Sequence, residues 1–329
     1  MIGTLMIGLR EGLEAALVVS VLLAYAKRLD RRDAVMKIWA GVAAAVLLSL
    51  ATGAVLTFGA YGLSFRAQEA IGGILSIVAV GMVTWMVFWM LRAARHLSGD
   101  LRGKLDRALL GGGWGVAAIG FISVGREGIE TALFIWATTR ASAVSPLVGF
   151  LSAVSGIIVA VLLGWALFRG MIRIDLTRFF RWSGALLILF AAGVLAYGVH
   201  DLQEAGFLPG PFAPVPPGAG AFAAAWFGDA AWAFRIPHVI APDGFVGALL
   251  KGVLGFSPEM TRLEVLVWVA YLVPTMFFFL RGSLAQGRTQ RRSQGPAQGA
   301  EHDPARTPVP PQKGPTWTTH PAPAASPEA

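Results

Sequence analysis

Long apolar runs separated by short polar segments dominate the first 282 residues of the chain. A helix needs about 20 consecutive apolar residues to cross a lipid bilayer. The alternating strands of an outer-membrane barrel are shorter and less continuously apolar. The pattern therefore predicts an all-α polytopic membrane protein with seven transmembrane helices, at residues 2–26, 37–61, 69–93, 113–139, 146–168, 180–200 and 262–280.

Composition agrees with this class. The chain of 329 residues is 55% hydrophobic and 14% charged, with a mean hydropathy of +0.63, well outside the range of soluble globular domains. It contains no cysteine, which excludes disulfides and thiolate metal sites.

The basic residues predict how the chain is oriented in the membrane. Of the 27 Lys and Arg, 20 fall in the segments after predicted helices 1, 3 and 5 or in the C-terminal tail. Cytoplasmic segments of membrane proteins carry this excess of Lys and Arg. We therefore expect the N-terminus outside and the C-terminus in the cytoplasm, and we interpret the net charge of +8 as a topology signal that requires no nucleic-acid partner.

Two segments lie outside the predicted helices. Residues 205–261 form a long external loop rich in Pro, Gly and aromatic residues, within which Phe222 to Phe234 either lies along the membrane surface or is plain loop. Residues 283–329 are rich in Pro, Gln, Ser and Thr and predict a disordered cytoplasmic tail. Residues 1–282 form the transmembrane domain, which ends with helix 7 at 262–282.

A short charged string occurs twice in the apolar regions, as REGLE at residues 10–14 and as REGIE at residues 126–130. Aligning the two copies superposes helix 1 on helix 4, and helices 3 and 6 then correspond with a slightly different offset. We therefore expect two repeats of three helices each, in residues 1–110 and 111–204. Because each repeat holds an odd number of helices, the second copy is inserted in the opposite direction. Inverted repeats are typical of secondary transporters, whose binding site lies at the repeat interface near the bilayer midplane.

The repeated string predicts a metal site. A charged side chain at a helix centre costs about 2.5–3.5 kcal/mol, so six of them need an offsetting interaction. Within each string the two Glu lie on one helical face, and Arg lies four residues before the second Glu. Pairing of helices 1 and 4 then gathers four carboxylates and two guanidiniums, −4 + 2 = −2 in formal charge. The expected metal ligands are Glu11, Glu14, Glu127 and Glu130, with Arg10 and Arg126 as charge partners.

Carboxylate oxygens suit hard multivalent cations such as Mg, Ca, Mn or oxidised iron. A purely structural alternative, in which Arg–Glu pairs join helices 1 and 4, leaves two carboxylates unbalanced. The glycines of the two strings are expected to let helices 1 and 4 approach closely; they are Gly8, Gly12, Gly125 and Gly128.

The external end of helix 6 carries a second candidate group. Asp201 and Glu204 share a helical face there, and His200 lies four residues before Glu204. These residues form a candidate external site that collects cations, with a solvated helix end as the alternative. Glu69, at the outer start of helix 3, is expected to act as a helix N-terminal charge.

The doubled string in helices 1 and 4 of a seven-helix protein resembles the oxidase-dependent iron permease family, which comprises fungal high-affinity iron permeases and bacterial EfeU-type permeases. The resemblance covers residues 1–282 and includes the HDLQE string at 200–204. It implies that the four motif glutamates handle iron. It also implies iron uptake across the cytoplasmic membrane, with an extracytoplasmic oxidase or iron-binding protein as partner.

Three function classes follow. The favoured one is a multi-pass iron permease that is not an enzyme, has no tightly bound cofactor, and works by alternating access with iron ions and the lipid bilayer as its partners. A transporter of Mn or Pb on the same scaffold is the first alternative, because carboxylates discriminate weakly among divalent ions. An intramembrane carboxylate–metal enzyme is the second, and it is disfavoured because no His accompanies either motif as in di-iron bundles.

Overall fold

The computed structural model describes residues 2–59, 62–93, 114–141, 145–169, 176–241, 244, 247, 250–251 and 255–293. Seven long helices account for most of them: α1 Ile2–Arg28, α2 Arg32–Phe58, α3 Phe65–Ala93, α4 Trp114–Ala141, α5 Pro146–Phe168, α6 Leu176–Glu204 and α8 Arg262–Ser293. The short helix α7 (Ala221–Ala224), a 3-10 turn (Gly228–Ala231) and two strands, β1 (Trp232–Arg235) and β2 (Glu259–Thr261), lie between α6 and α8.

Within the described residues, five helices are long and apolar enough to cross a membrane: Arg32–Phe58 in α2, Phe65–Met90 in α3, Pro146–Ala166 in α5, Arg178–Glu204 in α6 and Arg262–Ser283 in α8. Each overlaps one of the predicted apolar runs. Many large apolar side chains on them are exposed, such as Leu47 of α2 and Leu162 of α5, as expected where a surface faces lipid. Helices α1 and α4 are of similar length, and the charged strings interrupt their apolar sequence.

The helices pack in a regular pattern. Helix α1 packs against α5, α2 packs against α4, α3 packs against α6, and α1 also contacts α4. The main apolar core lies among α1, α3, α4, α6 and α8. It includes Ile7, Met86, Phe134, Ile188 and Phe279, one from each of these helices. The charged strings therefore lie beside the core of the molecule.

The motif glycines pack differently from the prediction. An added Cβ at Gly8 would collide with the Ala153 carbonyl of α5, and one at Gly12 would lie 2.9 Å from the Ala160 Cβ. In α4, a Cβ at Gly128 would collide with Ser49 of α2. The glycines thus bring α1 close to α5 and α4 close to α2, instead of α1 to α4. Gly8 and Gly12 are four residues apart and share one face of α1, and that face packs on α5.

The segment between α6 and α8 contains a small element that the sequence did not predict. The chain is mostly α-helical, as expected, but β1 and β2 pair antiparallel with an irregularity between Trp232 and Phe234. The stretch from Phe222 to Phe234 is not plain loop, since it holds the end of α7, the 3-10 turn and most of β1. The side chains of Trp232–Arg235 alternate between half-buried and exposed, as they do in a strand.

The C-terminal end of the last helix also differs from the prediction. Helix α8 continues to Ser293 instead of ending at residue 282. Residues 283–293 contain Leu, Ala, Gln and Arg, which favour helix, so the polar composition of the tail does not stop the helix at once. Met1–Ala285 form one compact unit. The predicted disorder of residues 294–329 lies outside the described residues.

Candidate metal-binding site

The two charged strings meet where α1 and α4 pack together. One carboxylate oxygen from each of Glu11, Glu14 and Glu127 lies within 4.8 Å of the others. Glu11 and Glu14 are buried, and Glu127 is half-buried. The spacing of three residues places Glu11 and Glu14 on the same face of α1. The contact between α1 and α4 then adds Glu127 from the second string.

Arg10 holds the α1 half of the site. Its side chain is only 1% exposed, and its Nη1 lies 2.7 Å from Glu11 Oε1. Its Nη2 lies 3.2 Å from Glu14 Oε1, an ion pair without hydrogen-bond geometry. Nη1 also donates to the Met86 sulfur of α3 at 3.1 Å. The Arg10 guanidinium therefore forms ion pairs with both carboxylates of its own string.

Arg126 is bound differently in the α4 half. Its Nε donates to Glu130 Oε1 at 2.9 Å, and its side chain is 33% exposed. The guanidinium carbon lies 4.9 Å from the ring centre of Trp89 and 5.3 Å from that of Trp85, both on α3. Cation–π contacts of this kind stabilise a charge that has left water. Glu130 is thus held by Arg126 and does not belong to the close group of three carboxylates.

The motif glutamates retain oxygen atoms that could bind a metal ion. Among the described residues, one buried oxygen of each motif glutamate has no hydrogen-bond partner: Glu11 Oε2, Glu14 Oε1, Glu127 Oε2 and Glu130 Oε2. Buried polar atoms normally have such a partner, and leaving one without is costly. Four ionised carboxylates and two guanidiniums carry −4 + 2 = −2. The arrangement is therefore suited chemically to hold a divalent cation through oxygen ligands.

A small apolar cavity adjoins this site. It lies among α1, α3, α4 and α6, and its lining includes Ile7, one turn before Glu11, and Phe134, one turn after Glu130. Thr138 is the one polar residue of the lining, and its hydroxyl donates to the Phe134 carbonyl at 2.6 Å. An apolar layer therefore separates the carboxylates from the ends of α4 and α6.

The residues predicted to form the external site divide between two groups. His200 Nε2 lies 3.4 Å from Glu204 Oε1, and its Nδ1 is 2.9 Å from Glu264 Oε1 of α8. Asp201 instead pairs with Arg140 of α4, whose Nη2 lies 3.3 Å away. Consecutive residues on a helix point about 100° apart, so His200 and Asp201 meet different neighbours.

Glu69 also departs from its expected role at the start of α3. Its Oε2 lies 2.9 Å from Arg140 Nη2, so it forms an ion pair with α4 and does not act on the helix dipole alone. The sequence could not show this contact, because the two residues are 71 positions apart. The structure therefore places a second group of opposite charges near the ends of α3, α4 and α6.

Several residues of these groups were missed in the sequence. Trp85 and Trp89 are four residues apart, a spacing that places both on one face of α3 and that was available as a signal. Thr261 and Glu264 carry the T-x-x-E pattern of a helix start, and the Thr261 hydroxyl accepts from the Glu264 N–H at 3.2 Å. The contact between Met86 and Arg10 depends on packing and has no such pattern.

Comparison with known proteins points to one family. The family model described as "Iron permease FTR1 family" matches residues 1–210 of the chain. The "Ferrous iron permease EfeU" of Yersinia pestis is 32% identical over 276 residues, which cover 82% of this chain and 90% of that protein. The "Ferrous iron permease EfeU" of Escherichia coli O6:K15:H31 (strain 536 / UPEC) is 33% identical over 294 residues, 88% of this chain and 98% of that protein. No solved structure matches the chain.

Proposed function

Because the chain belongs to the iron permease FTR1 family, we propose that it imports iron across the cytoplasmic membrane and binds the ion at Glu11, Glu14 and Glu127. The observation that carries this proposal is the close approach of three carboxylates, within 4.8 Å, in a multi-pass membrane protein. Their buried oxygens without hydrogen-bond partners add to its support. The names of the relatives favour Fe(II) as the transported form.

The geometry of the three carboxylates is close to that of a bound ion. Carboxylate oxygens bind Mg and Zn at about 2.0–2.2 Å, so two ligands on one such ion lie at most about 4.4 Å apart. The oxygens of Glu11, Glu14 and Glu127 lie within 4.8 Å of one another. Three ligands spaced evenly around one such ion lie about 3.8 Å apart or less. An inward movement of each oxygen by about 0.6 Å or less would therefore allow all three to bind one divalent ion.

The arginines set the charge that the ion meets. Arg10 pairs with both carboxylates of α1 and Arg126 pairs with Glu130, so the site keeps a formal charge of −2. A divalent ion neutralises that charge, whereas a monovalent ion does not. Glu130 then acts as a reserve ligand that can exchange Arg126 for the ion as it moves through the protein.

We assign alternating access to two inverted repeats, residues 1–110 and 111–204. The packing pattern supports this assignment, because exchanging α1 with α4, α2 with α5 and α3 with α6 converts the α1–α5 contact into the α4–α2 contact. The same exchange maps the α1–α4 and α3–α6 contacts onto themselves. In this proposal α1 and α4 span the membrane with the other five long helices, and rocking of the repeats exposes the glutamates to each side in turn.

The external surface receives the iron in this proposal. The distribution of Lys and Arg orients the N-terminus outside, which places residues 205–261 on the external side. An extracytoplasmic oxidase or iron-binding protein would deliver the ion to that face. An inside-negative membrane potential then favours import of a divalent ion by about 4.6 kcal/mol per 100 mV, twice the value for one charge.

The test is iron uptake by the purified protein in liposomes, with Fe(II) kept reduced and with Mn(II), Zn(II) and Pb(II) as competitors. We expect Glu11→Gln to lower uptake at least tenfold. The matched control is Glu259→Gln, in the external strand β2, where the carboxylate is partly exposed; this variant should transport like the wild type. Undiminished iron uptake by Glu11→Gln would contradict the proposed glutamate site. Absence of iron uptake by the wild type would contradict the proposed function itself.

A further inference from the structure

The second charged group lies at the C-terminal end of α4, about 20 Å along the helix from Glu127 by the rise of 1.5 Å per residue. Arg140 Nη2 lies 2.9 Å from Glu69 Oε2 of α3 and 3.3 Å from Asp201 Oδ2 of α6. One guanidinium thus faces two carboxylates from different helices. The group keeps a formal charge of −1 when all three residues are ionised.

Burial is unequal within this group. The Asp201 side chain is only 1% exposed, whereas that of Arg140 is 25% exposed. Among the described residues, neither carboxylate oxygen of Asp201 has a hydrogen-bond partner. A buried carboxylate normally has several such partners, so Asp201 depends on the nearby positive charge. The carboxylate is the fixed, buried element, and the guanidinium reaches it from the more exposed side.

The backbone of α3 leaves room for this contact. An added Cβ at Gly72 would lie 2.8 Å from both Arg140 Cζ and Asp201 Oδ2. Glycine at this position therefore provides the space that the ion pair fills. Arg140 also lies over the ring of Trp136, with its guanidinium carbon 5.6 Å from the ring centre. The Trp136 ring is thus a second contact for the guanidinium, and it lies on the same helix as Arg140.

The group stands in line with the apolar cavity and the motif glutamates. Thr138, two residues before Arg140, lines the cavity, and Phe134 lines it one turn closer to Glu130. Along α4 the order is therefore motif glutamates, apolar layer and charged group. A cation arriving at this end of the helices meets Glu69 and Asp201 before it meets the apolar layer.

We propose that Glu69 and Asp201 form an outer site for a divalent cation, and that Arg140 is a built-in competitor occupying this site in the present conformation. This inference rests on the proposed transport function and adds a first binding step to it. A divalent ion neutralises both carboxylates, whereas Arg140 leaves the group with a formal charge of −1. The incoming cation displaces the guanidinium, which moves toward Trp136 and solvent.

The test measures Mn²⁺ binding by electron paramagnetic resonance, with Mn²⁺ as probe and the full-length protein in detergent. All variants carry Glu127→Gln, which removes one of the three motif ligands and so weakens Mn²⁺ binding at the motif site. Adding Arg140→Gln should raise the Mn²⁺ affinity at least tenfold, and further addition of Asp201→Asn should cancel that gain. The matched control is Arg66→Gln, because Arg66 contacts the Ala205 carbonyl and the Phe207 ring at the same end of α3.

A steric variant tests the same idea without changing any charge. A methyl group at position 72 would lie 2.8 Å from both Arg140 Cζ and Asp201 Oδ2, so Gly72→Ala fills the space of the outer site and should lower the Mn²⁺ affinity severalfold. This measurement decides the question if Arg140→Gln fails to fold. Unchanged affinity in the folded Arg140→Gln or Gly72→Ala protein would overturn the outer site. Because binding is measured without transport, this failure is distinct from absence of iron uptake by the wild type in liposomes.

Discussion

Arg10 and Arg126 occupy equivalent places in the two strings, yet their surroundings differ. Arg10 is buried between Glu11, Glu14 and the Met86 sulfur, whereas Arg126 is a third exposed and stacked on two tryptophans. Removing one partner of a buried ion pair is costly, because the remaining charge is left without compensation. The two arginines should therefore contribute unequally to stability.

We expect Arg10→Gln to destabilise the protein by about 3–5 kcal/mol, because it leaves two carboxylates buried without a counter-charge. Arg126→Gln should cost less, since Glu130 alone loses its partner and the tryptophans still pack. Thermal unfolding in detergent, monitored by light scattering, measures both. Equal loss of stability in the two variants would show that the environments are equivalent, contrary to the geometry.

The two glutamates of the second string should also differ. Glu127 belongs to the group of three carboxylates, and Glu130 is bound by Arg126. We expect Glu127→Gln to lower iron uptake in liposomes at least tenfold by removing a ligand, and Glu130→Gln to lower it severalfold less. The comparison is internal, because both substitutions lie in the same turn of α4. A greater loss of iron uptake in Glu130→Gln than in Glu127→Gln would indicate that the ion binds at Glu130, beside Arg126.

At the scale of helices, the hydrophobic pattern predicted where helices lie along the chain but not which helices pack against each other. Hydrophobic periodicity locates a helix because lipid and core both require apolar side chains. It does not say which helix a face contacts, so Gly8 and Gly128 were assigned to the α1–α4 contact although they face α5 and α2. The same reasoning predicted that all four motif glutamates lie together, because burying charge in apolar helices leaves few alternatives. One oxygen from each of Glu11, Glu14 and Glu127 does lie within 4.8 Å of the others, whereas Glu130 is paired with Arg126.

Contacts between distant residues were beyond the sequence for the same reason. The pairing of Arg140 with Glu69 and Asp201 depends on how α3, α4 and α6 pack. Strands β1 and β2 are separated by more than 20 residues and are only four and three residues long. Segments this short carry little periodicity, so the Pro- and Gly-rich composition around them suggested a loop.

The close contact between α1 and α5 should be sensitive to volume. Gly8→Ala places a methyl group against the Ala153 carbonyl, and because that atom is backbone, the helices must separate. We expect a loss of about 1–3 kcal/mol, the usual cost of overpacking. Gly81→Ala is the matched control, since a Cβ there meets no atom within 4 Å, and it should be neutral or stabilising. Thermal unfolding compares them, and a harmless Gly8→Ala would contradict this packing.

At the scale of the whole molecule, the packing of α1 on α5 and of α4 on α2 has a functional consequence. If the two repeats are related by inversion, the motif glutamates lie on the axis that relates them, and a tilt of one repeat changes access from one side to the other. The apolar cavity and the charged group of Glu69, Arg140 and Asp201 then lie on the external side of the site. This interpretation requires the N-terminus outside.

The absence of cysteine allows that orientation to be tested directly. Leu29→Cys, between α1 and α2, should react with a membrane-impermeant maleimide only after the cells are permeabilised. Leu63→Cys, between α2 and α3, and Val215→Cys, between α6 and α8, should react in intact cells, because both positions are exposed and external in this topology. Labelling of Leu29→Cys and Val215→Cys from the same side would be incompatible with it, since five further helices separate them. The glutamates would then have to be reached by another route, and the order of charged group, apolar layer and carboxylates along α4 would lose its meaning for import.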